Sequence, residues 1–191
     1  MREIRKGTRA DIPGIAAIYD RILEEEEAGL ASVGWVRGVY PTEGAALEAL
    51  EAGELFVMTE DGAHAAAARI NRIQVPVYSQ IPWRWQAPAE RVMVLHTLVV
   101  DPLQKGRGHG AAFVDFYERY AREQGCPCLR MDTNEKNTAA RALYARLGYR
   151  EAGTVPCVFN GIPGVRLVCL EKNLQEPAPL PVPGSGAGRS L

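Results

Sequence analysis

The most constraining feature of the sequence is the stretch of residues 93–110, in which a buried strand runs into a glycine-rich turn. Residues 94–100 are almost all β-branched or leucine, which is typical of a strand covered on both faces. Asp101-Pro102 ends this strand, because proline cannot donate a hydrogen bond to a sheet. Glycines then alternate with other residues directly before a helical pattern over residues 111–123. The sequence therefore predicts a strand, a turn and a helix whose first N–H groups are open to a ligand.

The turn between strand and helix has the features of an anion-binding site. Backbone N–H groups at a helix start, together with the positive end of the helix dipole, suit a pyrophosphate. Lys105 and Arg107, with His109 when it is protonated, add side-chain positive charge. These residues alone also allow a basic surface turn or a dinucleotide fingerprint of the form G-x-G-x-x-G/A. That fingerprint needs its first glycine at the strand end, whereas residues 101–105 intervene here.

Hydrophobic periodicity and turn signals predict the order of the elements. It is a strand, two helices, three strands, a helix, a strand, a helix and two closing strands. The strand–helix–strand unit around the glycine turn gives a parallel pair. A doubly wound nucleotide fold would instead alternate strand and helix throughout. The predicted fold class is α/β in a mixed α+β form, with a mostly antiparallel central sheet of about seven strands and about four helices.

Two local features leave alternatives open. The first helix begins either through a Thr8-x-x-Asp11 capping box or with Asp11 as N-cap and Pro13 in the first turn, and we prefer the second. Residues 74–90 interleave prolines with aromatic side chains. Such a loop is either a lid packed on the hairpin of residues 55–71 or part of a substrate pocket, and the lid is favoured.

Composition restricts the class of protein. At 191 residues the chain suits one domain, predicted over residues 1–174, followed by a Pro/Gly-rich tail of disordered composition over residues 175–191. The 22 basic and 23 acidic residues nearly cancel, which argues against nucleic acid or an anionic membrane as a partner. No apolar run is long enough to cross a membrane. The four cysteines lack metal-binding spacing, so we expect reduced thiols, no metal site and a cytoplasmic protein.

A second block, residues 137–149, carries a more specific pattern. It reads N-x-x-A-x-x-L-Y-x-x-L-G-Y, with Asn137 and Tyr144 seven residues apart, so both project from one face of a helix. Ala140 keeps that face thin between them and leaves room for a ligand. The alternative is that Tyr144 is a core aromatic residue, as tyrosines in a helical stripe usually are.

The two blocks together resemble the GNAT acetyltransferase superfamily. The pyrophosphate loop of that family has Gln or Arg, two residues, Gly, one residue, then Gly or Ala, and here residues 105–110 match with Lys105 in the first position. The resemblance covers essentially all of the chain except the tail. It implies a GNAT fold that binds acetyl-CoA as cosubstrate between parted central strands. The cofactor-binding set that it implies comprises Leu98, Val99 and Val100, the loop residues Lys105, Gly106, Arg107, Gly108, His109 and Gly110, and Asn137.

The resemblance also implies catalytic roles. Tyr144 occupies the position of the tyrosine that protonates the departing thiolate. The strand of residues 95–100 looks like the corresponding strand of arylalkylamine N-acetyltransferases, in which a histidine helps to deprotonate the amine. His96 is the histidine that lies on the predicted central strand, so it is either the base or an ordinary strand histidine.

The expected function is direct acetyl transfer to a primary amine, without a covalent enzyme intermediate. A small-molecule amine is favoured as the partner by the aromatic loops and by the acidic residues 24–27. The alternatives are a protein N-terminus or lysine as acceptor, a non-catalytic acyl-CoA-binding module, and a nicotinamide-binding protein. The sequence leaves a homodimer open.

Overall fold

The computed structural model of the chain describes residues 1–175, and over that range it has a seven-stranded mixed sheet with four α-helices. The strands are β1 (Arg2–Lys6), β2 (Leu55–Glu60), β3 (Ala63–Asn71), β4 (Val92–Val100), β5 (Cys128–Asn134), β6 (Arg150–Phe159) and β7 (Ile162–Asn173). The helices are α1 (Ile12–Glu27), α2 (Glu43–Glu51), α3 (His109–Glu123) and α4 (Thr138–Arg146). The predicted fold class is thereby confirmed. The tail predicted over residues 175–191 lies, apart from Gln175, outside the described residues and stays a prediction.

The strand order in the sheet is β1-β2-β3-β4-β5-β7-β6. The β4–β5 pair is parallel, because α3 crosses between these strands, and the other pairs are antiparallel. Within residues 1–175, no helix has the length and apolar character needed to cross a membrane.

Apolar side chains that point alternately to the two faces of the sheet explain why helices cover both faces. On β2, Leu55 and Val57 pack with α1 and α2, while Phe56 and Met58 pack with α3. Four consecutive alanines, residues 65–68 on β3, are at most 2% exposed. Their small side chains let helices approach the centre of the sheet closely from either side.

The aromatic loop of residues 74–90 packs on strands β4, β5 and β7 rather than on the β2–β3 hairpin. Tyr78 and Trp83 are buried against Val92 and Val94 of β4 and against residues of β5 and β7. The Trp83 indole N–H donates to the Tyr78 carbonyl oxygen at 2.9 Å, which fixes the two rings edge to face. The loop therefore holds Tyr78 in a defined position beneath β5.

Candidate active site

The site is built around a gap in the middle of the sheet. The parallel pairing of β4 with β5 runs only from Val92 opposite Cys128 to Leu95 opposite Met131. Beyond that point β4 continues along β3 to Val100, and β5 continues along β7 to Asn134. The two central strands therefore part, and no strand of residues 1–175 pairs with the backbone groups that face the gap.

A bulge on β4 begins the separation. Between the pairs Arg69–His96 and Ala67–Val99, β4 advances three residues while β3 advances two. Thr97 takes up the extra length with a φ of 51°, which is uncommon for a β-branched residue. Its hydroxyl is hydrogen-bonded to the Tyr40 hydroxyl. The bulge turns the last residues of β4 away from β5.

The glycine turn closes one end of the gap. Gly106 and Gly108 have φ values of 79° and 75°, a region that glycine enters without steric cost. Gly108 is the N-cap residue of α3, and no side chain caps that end of the helix. The N–H groups of the first turn of α3 are therefore available to an anion.

The charged residues of this turn differ in their surroundings. Lys105 Nζ lies 2.6 Å from Glu25 Oε2. Arg107 is mostly exposed, with its guanidinium 3.6 Å from Glu60. His109 is only 2% exposed; its Nε2 lies 3.4 Å from Glu60 Oε2, and neither ring nitrogen has a hydrogen-bond partner within residues 1–175. Burial lowers the pKa of His109, so the ring is neutral at pH 7.

Helix α4 forms the opposite wall. Asn137 caps it, because its Oδ1 accepts from the Ala140 N–H at 3.1 Å, and its amide NH₂ donates to no group among residues 1–175. Tyr144 is 6% exposed and packs edge to face on Tyr149 at 6.1 Å between ring centroids. Burial raises the pKa of Tyr144 well above its ordinary value, so its hydroxyl keeps its proton at neutral pH.

These features meet in a main cavity of about 680 Å³. Ten of the twelve sequence-predicted site residues line it: Leu98, Val99, Val100, Lys105, Gly106, Gly108, His109, Gly110, Asn137 and Tyr144. Arg107 does not line it, and His96 lines a different cavity. An anion-binding turn, a pair of parted strands and a buried hydroxyl in one cavity fit a long, phosphate-bearing thioester such as acetyl-CoA.

The second cavity has a volume of about 250 Å³ and adjoins the main one. His96 lines it, and its Nε2 donates to Asn71 Oδ1 at 2.8 Å. Burial, together with the nearby Arg69 guanidinium, lowers the pKa of His96 to about 4. The wall shared by both cavities includes Tyr40, Thr97 and Asp132.

Asp132 is the site residue that our sequence reasoning missed. It follows Met131, the last β5 residue that pairs with β4, so it stands where the strands part. Its Oδ2 accepts from the Tyr78 hydroxyl at 2.7 Å. The available signal was a carboxylate near the end of a buried strand, with Arg130 two residues before it on the same strand. Among the described residues, no cluster of three or more His, Cys, Asp or Glu side chains could hold a metal ion.

Comparisons with known proteins agree with this geometry. The profile of the Acetyltransferase (GNAT) family matches residues 17–149. This chain belongs to the GNAT acetyltransferase family. A GNAT acetyltransferase structure from Streptococcus agalactiae has a TM-score of 0.75 and 25% identity, and the match covers 92% of this chain and 96% of that one. The Salmonella typhimurium acetyltransferase solved with acetyl-CoA has a TM-score of 0.66 and 19% identity, over 97% of this chain and 99% of that one.

A curated relative matches only in part. The uncharacterized N-acetyltransferase YhfO of Bacillus subtilis is 34% identical over 62 residues, which is 32% of this chain and 42% of that protein. Family membership confirms the predicted superfamily and, with it, the predicted enzyme class, an acetyl-CoA-dependent N-acetyltransferase. The roles of the individual site residues stay predictions.

Proposed function

We propose that this GNAT enzyme transfers the acetyl group of acetyl-CoA to the primary amino group of a small molecule. The observation that carries the proposal is the parting of β4 and β5 beyond Leu95 and Met131, with the glycine turn and the Tyr144 hydroxyl lining the resulting cavity. A non-catalytic acyl-CoA-binding module would need the turn and the gap. It would not need a protonated tyrosine facing the gap.

Each predicted binding residue has a physical role in this proposal. The turn of residues 105–110, with the open end of α3, would hold the pyrophosphate of acetyl-CoA. The gap-facing backbone of Leu98, Val99 and Val100 would hydrogen-bond the pantetheine arm, as a neighbouring strand would. The free amide NH₂ of Asn137 would donate to the same arm.

Tyr144 is the proposed proton donor to the departing sulfur. Tyr144 lines the main cavity, and its hydroxyl makes no hydrogen bond to another side chain within residues 1–175. A buried, protonated hydroxyl without a structural partner is available to the leaving group.

The second cavity supports a small acceptor rather than a polypeptide. Its volume of about 250 Å³ suits a molecule of modest size. The carboxylates of Glu48 and Asp132 line it and would attract an ammonium group. The Arg69 guanidinium also lines it, but its Nε donates to Glu54 at 2.6 Å. A protein N-terminus or a lysine side chain remains the alternative acceptor.

The cysteines need no role in this chemistry. All four have free thiols, and burial raises the pKa of Cys128, Cys157 and Cys169. Protonated thiols are poor nucleophiles, which agrees with direct attack by the amine and with the proposed cytoplasmic location. A homodimer stays a prediction.

The test is product formation in a mixed library. The enzyme is incubated with acetyl-CoA and small primary amines, and in parallel with peptides that carry free N-termini or lysines. Mass spectrometry identifies acetylated products, and a thiol reagent quantifies released CoA. We expect small amines to be acetylated, with release of an equal amount of CoA.

Acetylation of peptides alone would assign the alternative acceptor, and binding of acetyl-CoA without any product would indicate a binding module. Thermal stabilisation by NADH and not by CoA would contradict both an acetyltransferase and an acyl-CoA-binding module.

A further inference from the structure

We infer that Asp132 is the general base that takes the proton from the attacking amine, and that the Tyr78 hydroxyl holds its carboxylate in position. This inference rests on the proposed function and adds a catalytic residue to it.

The placement of Asp132 is what the reaction requires. A base must reach both the acceptor and the place where the acyl group is attacked. Asp132 lines the second cavity together with His96, and it lines the main cavity together with Tyr144. It is also the first β5 residue beyond the last pair with β4, so its side chain stands where the strands begin to part.

The hydrogen bonding of Asp132 differs from that of a structural acid. Its Oδ2 accepts from Tyr78, whereas its Oδ1 accepts no hydrogen bond within residues 1–175. The three carboxylates that are at most 4% exposed among residues 1–175 each contact an arginine: Asp11 with Arg5, Asp101 with Arg21 and Glu171 with Arg150. Within the same range, Asp132 makes no ion pair. An acid that stabilises a fold is usually paired, so an unpaired one in a cavity indicates chemistry.

The surroundings of Asp132 make it a base that works near neutral pH. Burial raises its pKa to about 6, and the hydrogen bond from Tyr78 acts in the opposite direction. Titratable and charged groups face it from the loops, from α2 and α4 and from the neighbouring strands: Tyr40, Glu48, Arg69, Tyr78, His96, Tyr144, Cys157 and Cys169. A carboxylate with this pKa is ionised at pH 7 and is more basic than an exposed aspartate.

His96 is less suited to the same task. Its pKa of about 4 makes it a weaker base than Asp132, and its Nε2 proton is engaged by Asn71 Oδ1. It lines the second cavity but not the main one. We assign it to positioning of the acceptor, and the experiment below compares the two residues directly.

Asp132 and Tyr144 accept and donate the protons that the reaction transfers. The ammonium group that the cavity attracts first releases one proton to solvent, and the neutral nitrogen then forms a bond to the thioester carbonyl carbon while the carbon–sulfur bond breaks with its electrons on sulfur. Asp132 takes the proton that the nitrogen loses, and Tyr144 gives its proton to the sulfur. Exchange with solvent then returns a proton to Tyr144 and removes one from Asp132. The products are an N-acetylated amine and CoA thiol.

The experiment measures kcat/KM against pH for the library amine that the wild-type enzyme acetylates fastest. Four variants are compared: Asp132→Asn, Tyr78→Phe, His96→Gln and, as a matched carboxylate-to-amide control, Glu48→Gln. The wild-type kcat/KM should fall as the pH drops through about 6, because the protonated acid cannot accept a proton. This fall is the acidic limb of the profile. Asp132→Asn should lose about 10²–10⁴-fold in rate together with that limb. His96→Gln and Glu48→Gln, which alter the wall of the acceptor cavity, should lower kcat/KM by a similar factor at every pH and keep the limb.

Two further readouts separate a base from a structural acid. Tyr78→Phe removes a hydrogen bond that favours the carboxylate, so the limb should move to higher pH. The carboxyl carbon of Asp132, followed by NMR in the protein without ligands, should titrate near pH 6 in the wild type. The asparagine oxygen still accepts from Tyr78, so the melting temperature of Asp132→Asn should not fall.

The outcomes distinguish this inference from the proposed function. If the wild-type enzyme acetylates amines and Asp132→Asn keeps both its rate and its limb, the inference is wrong while the proposed function stands. Loss of the limb in His96→Gln and not in Asp132→Asn would assign the base to His96. If the wild-type enzyme acetylates no amine, the proposed function fails first.

Discussion

Replacing Gly108 by alanine should weaken acetyl-CoA binding far more than its effect on folding would suggest. Gly108 has a φ of 75°, and a β-carbon built there meets no atom within 4 Å. Gly125, just after α3, provides a matched control with a φ of 72° and the same open surroundings. The difference is that Gly108 lines the main cavity and Gly125 does not.

The magnitudes follow from this comparison. An alanine forced into the left-handed region costs about 1–2 kcal/mol. At this chain length each kcal/mol lowers the melting temperature by about 2–4 °C, so both variants should lose similar stability. At Gly108 the added methyl group also occupies space where a phosphate would approach the N–H groups of α3. Loss of one hydrogen bond to a charged group is worth about 1.5–3 kcal/mol, or roughly 10–100-fold in Kd.

The assay combines thermal unfolding with calorimetric titration of acetyl-CoA. We expect both variants to melt earlier by similar amounts and only Gly108→Ala to bind acetyl-CoA more weakly. Equal Kd values for Gly108→Ala, Gly125→Ala and the wild-type protein would refute the assignment of the glycine turn to the pyrophosphate.

Two further predictions concern stability. Asp11→Asn should lower the free energy of unfolding by about 1–3 kcal/mol at neutral pH, because Arg5 donates to both carboxylate oxygens of Asp11 at 2.8 and 2.9 Å and holds its pKa well below the usual range. A carboxyl group with a depressed pKa contributes its full stability above the unfolded pKa of about 4. In urea unfolding, the difference in free energy of unfolding between the wild-type protein and Asp11→Asn should therefore shrink as the pH falls below about 4. A difference that does not change with pH would contradict this. Tyr117→Phe should lower the free energy of unfolding by about 1–3 kcal/mol, because the buried Tyr117 hydroxyl donates to the carbonyl oxygens of Met93 on β4 and Arg130 on β5 at 2.7 and 3.2 Å. An unchanged urea midpoint would show that these hydrogen bonds do not stabilise the fold.

Features encoded by local pattern could be predicted from the sequence. The glycine turn, α3 and the Asn137–Tyr144 spacing depend on neighbours within a few residues, and the structure has each of them. The start of α1 combines the two alternatives: the helix begins at Ile12 directly after Asp11, while the Asp11 carboxylate accepts from the Thr8 N–H as in a capping box.

Features that depend on distant residues could not be predicted. The length of the β4–β5 pairing is set by a bulge at Thr97, whose hydroxyl meets a tyrosine 57 residues away. The environment of Asp132 depends on Tyr78, which lies 54 residues earlier in a loop whose own position depends on packing against β4, β5 and β7. His96 lines the second cavity and not the main one, although it lies on the same strand as Leu98.

The most direct test of the account is the kcat of Tyr144→Phe. Phenylalanine keeps the ring that packs on Tyr149, so the melting temperature and the Kd of acetyl-CoA should barely change. Removal of a positioned proton donor costs about 10²–10⁴-fold in rate, and the good leaving ability of a thiolate favours the lower end. The matched control is Tyr149→Phe, a buried neighbouring tyrosine that does not line the main cavity. The account predicts a roughly hundredfold lower kcat for Tyr144→Phe and a wild-type kcat for Tyr149→Phe. A wild-type kcat for Tyr144→Phe would make Tyr144 a core aromatic residue and contradict the central claim.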